Sequence, residues 1–153
     1  MARQSGRLVL FFASGCGAGY APVAPGTAGS IVGLLLYYLL ATLPPALYCA
    51  VTGIIIMLAI GLAGKAEKFL GAHDPPQVVI DEIAGQLIAL AVLPVHWTYI
   101  LAGFLLFRFF DIIKPWPAGA IDRDIRGGAG IVLDDVVAGL YANFVLQLAR
   151  VLF

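Results

Sequence analysis

Apolar residues in this chain come in long blocks cut by prolines, not in the short alternations of a sheet. Leu8 to Ala13 is a brief apolar run, too short to cross a bilayer. Thr27 to Leu43 is just long enough to cross as a helix, Pro44-Pro45 break it, and Ala46 to Gly64 predicts a returning helix. A third segment, Val78 to Leu93, stops at Pro94. A fourth, Thr98 to Ile113, stops at Pro115 and Pro117, and a last one runs from Ile131 to Phe153 after a polar, Gly-rich loop over Trp116 to Gly130. The pattern predicts an all-α fold. It is a multi-pass membrane helical bundle of about five apolar helices, some short or re-entrant, forming one integral-membrane domain over 1–153. Near its start lies a Gly/Pro-rich loop, SGCGAGYAPVAPGTAGS, from Ser14 to Ser30.

Composition supports the bilayer. The chain is 61% hydrophobic and 12% charged with a mean hydropathy of +0.98, against about 25% charged residues in an ordinary soluble domain. No Asp, Glu, Lys or Arg occurs from Leu8 to Gly64, a run that lipid can cover and water cannot. Formal net charge is zero, which leaves no basic surplus for a nucleic-acid partner. Cys16 and Cys49 lie far apart without a CxxC pair and are read as buried free thiols. The N-terminus, MARQSGRLVLFFASGCG, mimics a signal peptide, but its apolar run is short and the glycines behind it belong to the expected site, so it is read as uncleaved.

With five crossings, Arg3, Arg7, Lys65, Lys68, Lys114, Arg123 and Arg126 fall on one side, which should be cytoplasmic, while the turns at Pro44-Pro45 and Pro94 to Trp97 carry no Lys or Arg. Arg150 is the exception and is expected to reach the opposite surface. The same topology puts five acids at one depth: Asp81 and Glu82 where the third segment enters, Asp111 where the fourth leaves, and Asp134 and Asp135 in the first turn of the last helix.

Carboxylates crowded at one level repel unless a cation neutralises them, and hard oxygen ligands suit Mg²⁺. Asp81, Glu82, Asp111, Asp134 and Asp135 are therefore candidate catalytic and metal-ligating residues, able to serve one ion or two in phosphoryl chemistry. Arg108 and Lys114, three residues either side of Asp111, either ground that acid or hold phosphate. Thr27 and Ser30 sit near the start of a helix whose amides favour anions, although a plain interfacial turn explains that stretch equally well. Arg123 and Arg126, among Asp122 and Asp124, either meet a phosphate or headgroup or form a solvated face. The bland reading of the acids is also open: acids in a first turn answer the helix dipole, and Asp111 pairs with a nearby base. Gln86 and Asn143 either orient carboxylates or bridge helices, and Gly85 and Gly139, four residues after Asp81 and Asp135, permit close helix approach. His73 and His96 lie at opposite ends and are read as separate hydrogen-bonded residues.

The blocks APGTAGS (24–30), VVIDEIAGQ (78–86), FRFFDIIKPWP (107–117) and DRDIRGGAGIVLDDVVAG (122–139) together resemble the phosphatidylglycerophosphatase A family. The resemblance implies a Mg²⁺-dependent enzyme of the bacterial cytoplasmic (inner) membrane that hydrolyses the lipid phosphatidylglycerophosphate to phosphatidylglycerol and phosphate. Asp81, Glu82, Asp111, Asp134 and Asp135 match its acidic positions, and Thr27, Arg108 and Lys114 its other polar motif residues. Water attack is expected rather than a phosphoenzyme, because the DxDxT, Cys-x5-Arg and phosphohistidine signatures are missing. Two alternatives use the same acids. A small ion or proton transporter should carry them near the midplane, and a CDP-alcohol phosphotransferase needs a longer Asp-Gly, Ala-Arg and Gly-Asp pattern that the chain does not contain.

Overall fold

The computed structural model describes residues 2–152, with side chains described over 6–152; Phe153 and the side chain of Arg3 lie outside them. All regular structure among the described residues is helical. α1 (Ala2–Ala13) leads through turns and a short 3₁₀ segment (Ala18–Tyr20) into α2 (Pro25–Leu40). Then come α3 (Pro45–Leu70), α4 (Ile80–Ala89), α5 (Trp97–Ile113), α6 (Ala118–Asp124) and α7 (Gly128–Leu152).

Prolines and glycines set the boundaries much as their chemistry dictates. Pro25 and Pro45 each occupy a first helical position, where a missing N–H costs nothing. Gly71 ends α3 in the left-handed conformation, at φ 68°. α3 runs past Gly64, so Lys65, Glu67 and Lys68 stay helical, and among the described residues α3 and α7 are the two helices long and apolar enough to cross a membrane.

Four expectations change. The segment from Val78 to Leu93 is helical only from Ile80 to Ala89, about 15 Å at the α-helical rise. The chain still traverses the bundle there, because Val92 to Val95 lies beside Leu43 and Pro45 around a cavity of about 340 Å³. The stretch read as a loop over Trp116 to Gly130 contains α6 and the start of α7. Since α7 begins at Gly128, Asp134 and Asp135 fall in its second turn, not its first. Cys16, in the turn after α1, and Cys49, on α3, are free as expected but exposed rather than buried.

α4 is the axis. Nine of its ten residues are buried, Glu82 being the exception, and α2, α3, α5 and α7 pack around it. α7 approaches closest, at Gly139 and Gly85. A Cβ on Gly139 would collide with the Gly85 carbonyl, and one on Gly85 would lie 2.8 Å from the Asp135 carbonyl.

A helix that ends inside a bundle leaves carbonyls without water. Here α7 supplies donors along one face. Asn143 Nδ2 donates to Ala89 O (3.2 Å) and Ala91 O (2.8 Å), Gln147 Nε2 to Ala91 O (3.3 Å), and Arg150 Nη1 to Val92 O (3.3 Å). From α3, Tyr48 Oη donates to Leu87 O at 2.7 Å. Asn143 thus bridges helices, and Arg150 combines its surface position with a cap on the end of this segment. Replacing Asn143 by Leu should lower stability by about 1–3 kcal/mol, the cost of stranding buried acceptors. The check is the midpoint of thermal unfolding in detergent, and an unchanged midpoint would mean that water reaches those carbonyls.

Candidate active site

The first turn of α4 carries Asp81 and Glu82 next to an N-cap residue, Val79, whose side chain cannot cap. Acids there answer the exposed helix amides. Asp135 lies beyond the first turn of α7, so the dipole does not account for its position. One carboxylate oxygen from each of Asp81, Glu82 and Asp135 falls within 4.8 Å of the others. Asp81 is 7% exposed and Asp135 3%. Asp81 Oδ1, Glu82 Oε2 and Asp135 Oδ2 are buried without a hydrogen-bond partner.

Three anionic groups facing one another with orphaned oxygens are costly in a poorly hydrated place. A hard divalent cation relieves that cost, and an all-oxygen donor set suits Mg²⁺ better than a softer metal. The residues present fit such an ion.

Arg108 lies beside this group. Its Nη1 stands 2.6 Å from Asp111 Oδ2 and 3.9 Å from Glu82 Oε1. The contact with Asp111 is one of charge rather than an aligned hydrogen bond, because Arg108 Nη1 and Nε both lack a hydrogen-bond acceptor. Nη1 stays within the Asp111 ion pair, and the Nε N–H is buried without an acceptor. Asp111, mostly buried, is also a close charged neighbour of Asp135, so α5 adds a fourth acid next to the three from α4 and α7.

The N-terminus of α2 closes another side. A Cβ on Gly26 would overlap Glu82 Oε1 and sit 3.0 Å from both terminal nitrogens of Arg108, so only a bare backbone fits there. Thr27 follows, half-buried. Ser30 is fully buried one turn later, and its hydroxyl donates to Gly26 O at 3.0 Å, which turns it toward its own helix.

Lys114 has a different environment from Arg108. It ends α5 in the left-handed region, at φ 47°, and so leaves the helix face on which the sequence spacing would place it. Its Nζ donates to Asp134 Oδ2 at 2.6 Å and pairs with Asp122 Oδ1 at 3.0 Å. Burial opposes the charge on Lys114, but the hydrogen bonds and charges of Asp134 and Asp122 prevail and raise its pKa above the ordinary lysine value. Asp134, 4% exposed in its side chain, thus faces Lys114 and stands outside the three-acid group.

The remaining sequence candidates lie outside. Arg123 forks onto Asp124 at 2.8 and 3.1 Å, both residues exposed, and Arg126 is exposed as well; neither pairs with the three acids. His73 bonds Glu67 (2.7 Å) and His96 bonds Thr98 (2.8 Å), as separate hydrogen-bonded histidines. Gln86 is fully buried, and neither end of its amide meets a partner.

Two contributors were not singled out from the sequence. Asp122 was grouped with a solvated loop, and only its place on α6 turns it toward Lys114. Gly26 lies inside a recognisable block, but nothing in its neighbours says that it meets Glu82 and Arg108.

No solved structure matches this chain. Phosphatidylglycerophosphatase A of Escherichia coli (strain K12) is 40% identical over 135 residues, 88% of this chain and 78% of that protein. Phosphatidylglycerophosphatase A of Haemophilus influenzae is 41% identical over 140 residues, 90% of this chain and 86% of that protein. The family model described as phosphatidylglycerophosphatase A matches residues 11–150, a span that takes in α2 through α7 almost entire and every acid of the site, and the chain belongs to that family.

Proposed function

We propose that this protein hydrolyses phosphatidylglycerophosphate to phosphatidylglycerol and phosphate with Mg²⁺, as a single integral-membrane domain of the bacterial cytoplasmic membrane. The observation that carries the reading is the convergence of the carboxylates of Asp81, Glu82 and Asp135, each with a buried oxygen that lacks a partner, beside the guanidinium of Arg108. The names of the E. coli and H. influenzae relatives agree with it.

Asp81, Glu82 and Asp135 would hold the ion, with Asp111 next to them. A bound Mg²⁺ supplies charge stabilisation to the phosphoryl group and a lowered pKa for water. Arg108 offers guanidinium N–H groups to phosphate oxygens, and the α2 N-terminus, packed against Glu82 and Arg108 at Gly26, adds amides that favour an anion. A water oxygen bonds to phosphorus and the ester bond to the glycerol oxygen breaks. The water's proton passes by way of a carboxylate of the cluster to the departing oxygen.

Basic residues support a cytoplasmic site. Lys65, Lys68, Lys114, Arg123 and Arg126 belong to the segments at the site's end of the bundle, and Arg150 lies at the other end with the Pro44-Pro45 and Pro94 turns. The placement of the acids at the starts of α4 and α7 and the end of α5 favours a surface reaction over ion passage through the midplane.

Chelation with EDTA should stop phosphate release from phosphatidylglycerophosphate in detergent micelles, and Mg²⁺ should restore it. Asp81→Asn, Asp111→Asn and Asp135→Asn should each lower release at least about 100-fold, on the scale of losing one transition-state contact, while the protein stays monodisperse. Full activity in chelator would remove the metal from the reaction. Arg108→Lys keeps the charge but loses the planar fork. It should lower kcat/KM by about 10-fold or more, with a smaller effect if the base only balances Asp111.

A further inference from the structure

We propose that the centre takes one divalent ion, at Asp81, Glu82 and Asp135, and that the ammonium of Lys114, held by Asp134 and Asp122, stands in the place of a second. The inference rests on the metal-dependent reading above and deepens it. Adjacent aspartates on α7 suggest two metal ligands, but successive helical positions point about 100° apart. The structure divides them accordingly. Asp135 joins the acids of α4, and Asp134 turns its Oδ2 to Lys114 at 2.6 Å, its Oδ1 staying buried without a hydrogen-bond partner outside the three-acid group.

A second ion beside the first would need carboxylates of its own. On the α7 side of the group those acids are Asp134 and Asp122, and Lys114 already binds both. Asp74, in the turn before α4, adds a third negative charge near the same ammonium. An amine among acids satisfies the electrostatics that a cation would otherwise satisfy, and it does so covalently, at any metal concentration. The chain accepts a left-handed backbone at a non-glycine residue to put it there, at φ 47°. Such conformations persist where surrounding contacts over-determine them, and here three elements, α5, α6 and α7, meet at one nitrogen. Lys114 is accordingly a positioning residue, and Asp134 is its anchor and not a metal ligand.

Full-length protein in detergent, stripped of metal, should be titrated with Mn²⁺ while electron paramagnetic resonance counts the free ion. The wild type should bind one Mn²⁺ per chain. Asp135→Asn should weaken binding at least about 100-fold, beyond what most outer partners of a metal cost, and Asp134→Asn by no more than about threefold. Because Asp134→Asn alone leaves Lys114 partly unpaired, the double variant Lys114→Met/Asp134→Asn, which removes both charges together, should give the same single site. Two ions per wild-type chain, or equal weakening by Asp134→Asn and Asp135→Asn, would overturn the proposal. Failure of the wild type to bind any Mn²⁺ that competes with Mg²⁺ would instead overturn the metal-dependent reading beneath it.

Discussion

The rest of the structure depends on holding three carboxylates together where water scarcely reaches. Left alone, Asp81, Glu82 and Asp135 would push α4 and α7 apart, since like charges at such separations interact by several kcal/mol even at an effective dielectric of about 20. The backbone prevents this one turn further along. Gly85 follows Asp81 by four residues and Gly139 follows Asp135 by four, and the two helices touch at those glycines with no room for a side chain. The contact between backbones fixes the distance between acids, so the spacing of the site is a consequence of helix packing. The fold stores the repulsion and a cation can release it.

α4 also explains the polar residues at the far end of α7. A helix whose mouth must be charged has to begin at the bundle's edge, and one of ten residues ends well before the other edge. Its last carbonyls then need donors. Asn143, Gln147 and Arg150 recur at the spacing of one helical face and supply them. Charge at one end of α4 and side-chain donors at the other are two answers to the same rule, that buried polar atoms need partners.

Much of this was legible in the sequence because it depends on local chemistry. Prolines at 25, 44, 45, 94 and 115 bound apolar blocks, and the five acids mark where those blocks reach the edge. What sequence spacing could not supply was the consequence of ending a helix in an unusual way. Arg108, Asp111 and Lys114 repeat every three residues and so read as one face, but Lys114 lies past the last turn of α5 with positive φ and projects elsewhere. α6 stayed hidden because AGAIDRD is short and follows two prolines, where composition points to a loop. With it went the role of Asp122. The start of α7 was placed too late, since Gly127 and Gly128 look like loop glycines, and the neighbouring acids therefore seemed to be first-turn residues.

The two bases next to Asp111 show why composition alone cannot assign roles in so apolar a chain. Both are cations near several acids, and pairwise charge would treat them alike. Geometry separates them. Lys114 meets its acids at hydrogen-bonding distance and through three packed elements, so its charge is already committed. Arg108 touches Asp111 out of alignment and keeps N–H groups without acceptors, packed against Gly26, where no side chain fits. A planar guanidinium with unsatisfied donors is poised to take a further anion, whereas an ammonium shared by two carboxylates has little left to offer. In the proposed reaction an anion would therefore be taken on the α2 side of the acids, by Arg108, and not by Lys114, whose charge Asp134 and Asp122 already hold.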